Sequence, residues 1–288
     1  MIAVAQGSID TAAGDAGTRF VYTAAEPRRL GRALSDLSAG LRRWRLAGAL
    51  ARQDIRNRYR GSMLGPLWLT LSTALMFLGL GFLYSLVFRQ NLATYLPYLA
   101  VGLIIWNLIN QVVAEACTNL ISAKGMIQQL PLPYTIHTLR AVFRNIIVAA
   151  HNLPLLIIVL AICHALPGTK GVVAIFGLLL LIVNAFSVSS LLGMLCARFR
   201  DLGQVVSSLM QFAFFMTPII WYESSLGHYA VWLALDPFYP SIETVRGPLL
   251  STSVPASIWL LAMLYTTGLF AVSFVFFTRF RDRIAFWV

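Results

Sequence analysis

Apolar positions in this chain come in blocks, and the blocks are long. From Gly61 through Phe88 no charged residue interrupts 28 positions, and five further stretches downstream are also uncharged. A helix rises about 1.5 Å per residue and needs about 20 apolar residues to cross roughly 30 Å of hydrocarbon. The pattern therefore predicts six transmembrane helices, near 63–88, 95–114, 145–166, 171–197, 204–222 and 257–278. The third is expected to begin as early as Thr138 if Arg140 and Arg144 snorkel to the headgroups, and Pro154 within it predicts a kink.

Two other regions follow different patterns. Residues 1–40 are expected to form a mostly disordered arm, small and polar at its start. Over 41–61 the spacing becomes helical: Trp44, Gly48, Ala51, Ile55 and Tyr59 fall on one stripe, with Arg45, Arg52, Arg56 and Arg60 on a stripe beside it. That predicts an amphipathic helix lying in the membrane interface. Between the fifth and sixth spans, two short apolar patches flank Asp236-Pro237, each too short to cross. Irregular backbone at membrane depth survives only where protein or water satisfies it, so the patches predict two short re-entrant helices. The expected fold is an all-α membrane protein, with residues 62–288 as a six-helix transmembrane domain.

Composition agrees with a bilayer. The chain of 288 residues is 58% hydrophobic and 11% charged, with a mean hydropathy of +0.75, whereas soluble domains carry about 25% charged residues. The net charge of +11 is topological. Eleven Lys and Arg precede residue 63, three lie in the second connection, two in the fourth and three in the tail, while Arg89, Lys170 and Arg246 fall on the other side. Positive charge stays in the cytoplasm, so both termini are expected there. Nucleic-acid binding is excluded as a reading because the arginines run straight into a span, leaving no room for a recognition fold.

Three stretches carry a resemblance. "RQDIRNRYRGSMLGPLW", with Arg58, Tyr59, Arg60, Ser62, Leu64, Gly65, Leu67 and Trp68, is similar to the start of the first span in type-2 ABC permeases that export polysaccharides. "GMIQQLPLPYTIHTLR" resembles that family's cytoplasmic loop, and "LDPFYPSIETVRGPLL" its segment between the last two spans. Ser72 and Thr73 stand where many relatives have Asn-Pro, and Gln128 and Gln129 where many have two lysines. The resemblance implies a homodimer whose interface forms the channel, working with two ATP-binding cassette subunits that carry ATP and Mg. It also implies a glycan on undecaprenyl pyrophosphate as the substrate. The alternatives are a related permease for teichoic acid, capsule or a smaller amphiphile.

Candidate sites follow from chemistry and from this resemblance. Arg52, Arg56, Arg58 and Arg60 are candidates for the pyrophosphate headgroup, since guanidinium forks match phosphate oxygens; lipid anchoring is the plainer account of the same charges. Met126, Ile127, Leu130 and Leu132, apolar and bracketed by Gly125, Pro131 and Pro133, are candidates for coupling to the ATPase. Aromatic rings stack on sugars, which nominates Phe77, Phe82, Tyr84, Phe88, Trp106, Phe212, Phe215, Trp221 and Tyr222 as channel lining. Tyr95, Tyr98 and Phe214 belong to the same set. The outer gate implied by the resemblance would use Trp232, Asp236, Pro237, Phe238, Tyr239 and Arg246. No Gly-x-x-x-x-Gly-Lys-Ser/Thr loop occurs, so ATP hydrolysis is expected on a separate subunit, with no cofactor and no metal on this chain. A membrane glycosyl- or acyltransferase would draw on Glu115, His137, His151, His164, Ser187, Ser189 or Ser190, which form no recognisable motif. Cys117, Cys163 and Cys196 lack metal-ligand spacing.

Overall fold

The computed structural model describes residues 29–62, 67–87 and 89–288. The first 28 residues of the arm, the 63–66 start of the first span with Leu64 and Gly65, and the aromatic candidate Phe88 lie outside the described residues. Everything described is helix or connection. The chain runs α1 (Arg29–Arg42), α2 (Trp44–Arg58), α3 (Leu67–Val87), α4 (Leu92–Ser122), α5 (Lys124–Gln129), α6 (Tyr134–Ile162), α7 (Ala174–Arg198), α8 (Leu202–Met216), α9 (Phe238–Leu249), α10 (Ala256–Phe280) and α11 (Ile284–Trp287). A 3-10 turn, Thr169–Val173, leads into α7, and a 3-10 segment, Glu223–Leu235, precedes α9.

Among the described residues, five helices are long and apolar enough to cross a membrane: α3, α4, α6, α7 with its preceding turn, and α10 continuing into the tail. The fifth expected span, 204–222, is shorter than its hydropathy suggests. α8 has 15 residues, about 22 Å at about 1.5 Å per residue, and it stops at Met216. Thr217 adopts φ −76°, ψ 136°, because the ring of Pro218 disfavours helical backbone at the residue before it. Residues 217–222 continue as non-helical chain, buried over 217–220 and half-buried at Trp221 and Tyr222.

Two boundaries move outward. The second span extends to Ser122 and the third begins at Tyr134, so they carry about two and about three extra turns respectively at one end of the bundle. That basic end also gathers α1, α2 and the tail. Residues 29–40, expected within the arm, are helical, with Asp36 and Gly40 facing the bundle. α6 starts after Pro133, whose side chain cannot accept its first amides. Asp36 supplies the acceptor from α1: its fully buried carboxylate receives Tyr134 N at 3.2 Å, Thr135 N at 3.1 Å and Thr135 Oγ1 at 2.8 Å. Arg281 closes the group by donating to the same carboxylate at 2.9 Å. α1 and α6 touch so closely there that a Cβ on Gly40 would lie 2.5 Å from Thr135 Cβ.

The core is built around α4, which packs against α6 and α7, while α7 also carries α9 and α10. Tyr95, Leu99, Val101 and Leu103 of α4 are fully buried. Where α7 meets α9, Gly177 allows contact that a Cβ would block at 2.6 Å from Thr244 O. α2 lies along α6. Its buried stripe is Ala47, Ala51 and Ile55, rotated from the expected one: Trp44 is exposed and Gly48 and Tyr59 are half-buried. Small residues there let α2 approach α6, so α2 is bound to the bundle as well as amphipathic.

Candidate functional site

Between α2, α4 and α6 the basic end holds an alternating chain of charges. Arg58 Nη2 donates to Glu115 Oε1 at 2.9 Å, Arg144 Nε to Glu115 Oε2 at 2.8 Å, and Arg144 Nη1 to Asp54 Oδ2 at 2.8 Å. Arg140 completes it with a fork on Asp54, Nε to Oδ2 at 2.7 Å and Nη2 to Oδ1. Asn145 Nδ2 adds a bond to Glu115 Oε2 at 3.0 Å. Burial raises the Asp54 carboxyl, but hydrogen bonds and charge from Arg140 and Arg144 outweigh it and hold the group below the ordinary carboxylate range. Arg140 and Arg144 thus turn inward to pair rather than outward to headgroups. Arg140 Nη1 also reaches Met126 Sδ of α5 at 3.8 Å, so one side chain touches α2, α5 and α6 together.

This arrangement divides the four candidate arginines. Arg58 is engaged by Glu115. Arg52, Arg56 and Arg60 are exposed and have no ion pair among the described residues. Of the coupling candidates, Leu130 is 49% exposed, whereas Met126, Ile127 and Leu132 are half-buried against their own chain. Ile127 packs with the cluster of Leu120, Met194 and Ile284, and Leu132 with Ile136 and Leu139.

At the opposite end, the non-helical segment 217–222 lies in the protein interior, and its carbonyls are supplied with donors. Arg246 Nη1 donates to Pro218 O at 2.8 Å, Tyr98 Oη to Pro218 O at 3.1 Å and to Trp221 O at 2.9 Å, and Tyr95 Oη to Ile220 O at 2.6 Å. Irregular backbone needs such partners where water is absent. Arg246 was expected on an outer connection; it is instead 2% exposed, its guanidinium forked onto Glu243 Oε2 at 3.0 and 2.6 Å.

The other gate candidates separate by position. Asp236 accepts Phe238 N at 2.9 Å and so starts α9 after Pro237. Tyr239 is buried and its hydroxyl bonds to Glu223 Oε2, tying the 3-10 segment to α9. Burial, and then the neighbouring Glu243, raise the Glu223 carboxyl above its ordinary range against the opposing pull of Arg246. Trp232 is 68% exposed. Where two re-entrant helices were expected, the chain forms this 3-10 segment, bent at Gly227 with φ 55°, and α9, buried on most of its surface.

The aromatic candidates also divide. Phe77 and Trp106 are core residues, Trp106 lying 5.7 and 5.4 Å from the Phe214 and Phe238 rings. Tyr84, Trp221 and Tyr222 are half-buried, with Tyr222 against Tyr98 at 4.3 Å. Phe82, Phe212 and Phe215 are exposed.

α8 carries the arrangement that sequence reading missed. Gln204, Ser207, Ser208 and Gln211 are all exposed, and the i, i+4, i+7 spacing of Gln204, Ser208 and Gln211 puts them on one face. Val206, Met210 and Ala213 occupy the opposite face and turn toward the bundle. Of the candidate acid-base groups, Ser187 Oγ donates to Val183 O at 2.8 Å, His151 Nδ1 bonds Ile147 O at 2.7 Å, and Glu115 belongs to the charge chain, whereas among the described residues His137 and Ser189 are buried with no side-chain hydrogen bond.

Comparison with known proteins was made against this geometry. The sequence model described as ABC-2 type transporter matches residues 45–250. An O-antigen export system permease protein RfbA from Myxococcus xanthus is 27% identical over 244 residues, covering 82% of this chain and 93% of that protein. Its namesake from Klebsiella pneumoniae is 23% identical over 243 residues, covering 82% and 92%.

Proposed function

The chain belongs to the ABC-2 type transporter family, and from that membership we propose that it is the channel-forming permease of an ATP-driven exporter. Its cargo is a lipid-linked polysaccharide, O-antigen on undecaprenyl pyrophosphate, carried from the cytoplasmic side across a bacterial inner membrane. The cargo follows the names of the relatives, which are O-antigen export permeases.

The observation that carries this reading is the polar face of α8. Two amides and two hydroxyls stand exposed on a helix of an otherwise apolar bundle, and exposure of such groups to lipid is costly. A second copy that brings its own α8 opposite would place both faces on a wet path, with Phe212 and Phe215 at its edge offering rings to sugar surfaces. In this assembly α8 and the extended 217–222 segment together make the sixth crossing, both termini are cytoplasmic, and the 3-10 segment with α9 re-enters from the outside as the gate.

The free guanidinium face of α2, Arg52, Arg56 and Arg60, receives the pyrophosphate, while Arg58 stays with Glu115. The exposed Leu130 beside α5 meets one of two ATP-binding cassette subunits, which hold ATP and Mg. Exchanging Gln204 and Gln211 for Leu tests the path. Glycan export should fall by roughly tenfold, equivalent to about 1.4 kcal/mol of lost hydrogen bonding, with membrane level and ATPase association unchanged. Full export by the double variant would remove α8 as the wall.

A further inference from the structure

Behind the polar face of α8 lies a cavity of about 780 Å³. α8 packs on α4 and α7, and α10 packs on α7 and α9; the cavity occupies the space between α8 and α10. Leu181 and Met210, each 7% exposed, line its inner wall, and Leu209, Phe212 and Leu264, 60%, 65% and 67% exposed, rim it. Among the described residues, no charged side chain lines it. Its hydroxyls are turned aside, Tyr265 bonding to Ala234 O at 2.6 Å and Ser241 to Pro237 O at 3.2 Å, which leaves the Asn184 amide as a lone polar group at the wall.

Protein interiors leave few voids larger than a water molecule, and apolar cavities stay dry. This one falls within the roughly 300–1,000 Å³ of sites that enclose a ligand, and its rim is continuous with the exposed apolar surface of α8 and α10. We infer that it is a binding site for one acyl chain of a bilayer phospholipid, inserted between α8 and α10. The absence of lining charge fits a tail whose headgroup stays outside. Gly268 belongs to the opening: a Cβ there would meet nothing within 4 Å, so the glycine leaves room that a larger side chain would fill. The bound chain then serves as the missing packing partner of α8. The inference depends on the apolar span geometry and not on the identity of the cargo.

The test uses the full chain reconstituted in phosphatidylethanolamine bilayers containing a trace of phosphatidylethanolamine with a diazirine in one acyl chain. After photolysis, adducts should appear on Leu181 or Met210 in proportion to the mole fraction of the probe, since unlabelled phospholipid competes for the same site. Gly268→Phe, which fills the opening, should cut these inner adducts by roughly tenfold, the factor for about 1.4 kcal/mol of affinity, while Gly268→Ala keeps them. Ala185→Phe fills the cavity from the α7 wall and should act like Gly268→Phe, in case the first variant does not fold. Adducts confined to the rim at Leu264, or equal inner labelling in the filled variants, would overturn the site. Inner labelling by a diazirine polyprenyl phosphate but not by the phospholipid would overturn the acyl occupant. Disulfide formation between two copies of Leu264→Cys, with no inner adducts, would assign the space to a second copy.

Discussion

The guanidinium of Arg246 lies 3.9 Å from the ring centroid of Tyr98, and both side chains donate to the carbonyl oxygen of Pro218. Two helices thereby hold a stretch where the chain abandons helical hydrogen bonding inside the bundle. Arg246→Met would leave Glu243 without its guanidinium and Pro218 O with one donor fewer. Breaking a buried ion pair costs about 3–5 kcal/mol, so the thermal midpoint of the purified protein should drop clearly. Arg246→Lys should recover part of it, and adding Glu243→Gln to Arg246→Met should recover more than it costs alone. Additive losses in that cycle would mean that the pair is not coupled.

Asp54 gives a pH dependence of defined sign. Its folded carboxyl titrates below the ordinary value, so its stabilisation is complete above about pH 4, the unfolded carboxylate range, and is lost as pH falls through the depressed folded value. Asp54→Asn should cost about 3 kcal/mol at neutral pH by stranding Arg140 and leaving Arg144 with Glu115 alone. Unfolding midpoints measured from pH 6 to pH 3 should fall less steeply in the variant than in the parent chain.

The two faces of α8 should differ chemically in the assembled transporter. A cysteine at Ser208 should react with a membrane-impermeant thiol reagent, and one at Met210 should not. Equal protection at both positions would seal the polar face against another protein surface and argue against a wet path.

For the ATPase contact, the exposures separate two substitutions that look alike in sequence. Leu130→Asp should weaken co-purification of the ATP-binding subunit while leaving the unfolding free energy within about 0.5 kcal/mol of the parent and the thermal midpoint little changed, as exposed substitutions do. Ile127→Asp should lower the midpoint as well, since Ile127 packs into its own chain. Retained ATPase with Leu130→Asp would move the contact elsewhere.

Long uncharged blocks made α3, α4, α6, α7 and α10 legible, because hydropathy tracks the solvent around a helix. The same averaging hid the end of α8: Ile219, Ile220 and Trp221 continue the apolar run, so Pro218 was read as part of a span rather than as its stop. Arg246 was assigned by position in the chain, and charge counting has no measure of depth. Asp54 sits among four arginines and gave no local signal of its own; its partners Arg140 and Arg144 lie 86 and 90 residues away. The stripe of Gln204, Ser208 and Gln211 was visible at helical spacing, but four small polar groups barely changed the mean of an apolar block. What could not be read was pairing between distant elements, since periodicity describes one helix at a time.

Asp36 and Arg281 bond across 245 residues, and this fixes an order of assembly. A ribosome delivers Asp36 early, Tyr134 and Thr135 midway, and Arg281 only after the last span has been made. Until then the carboxylate that starts α6 is held by backbone amides and a hydroxyl without its cation. The full set of contacts that joins α1, α6 and the tail is therefore complete only once the last span has been made.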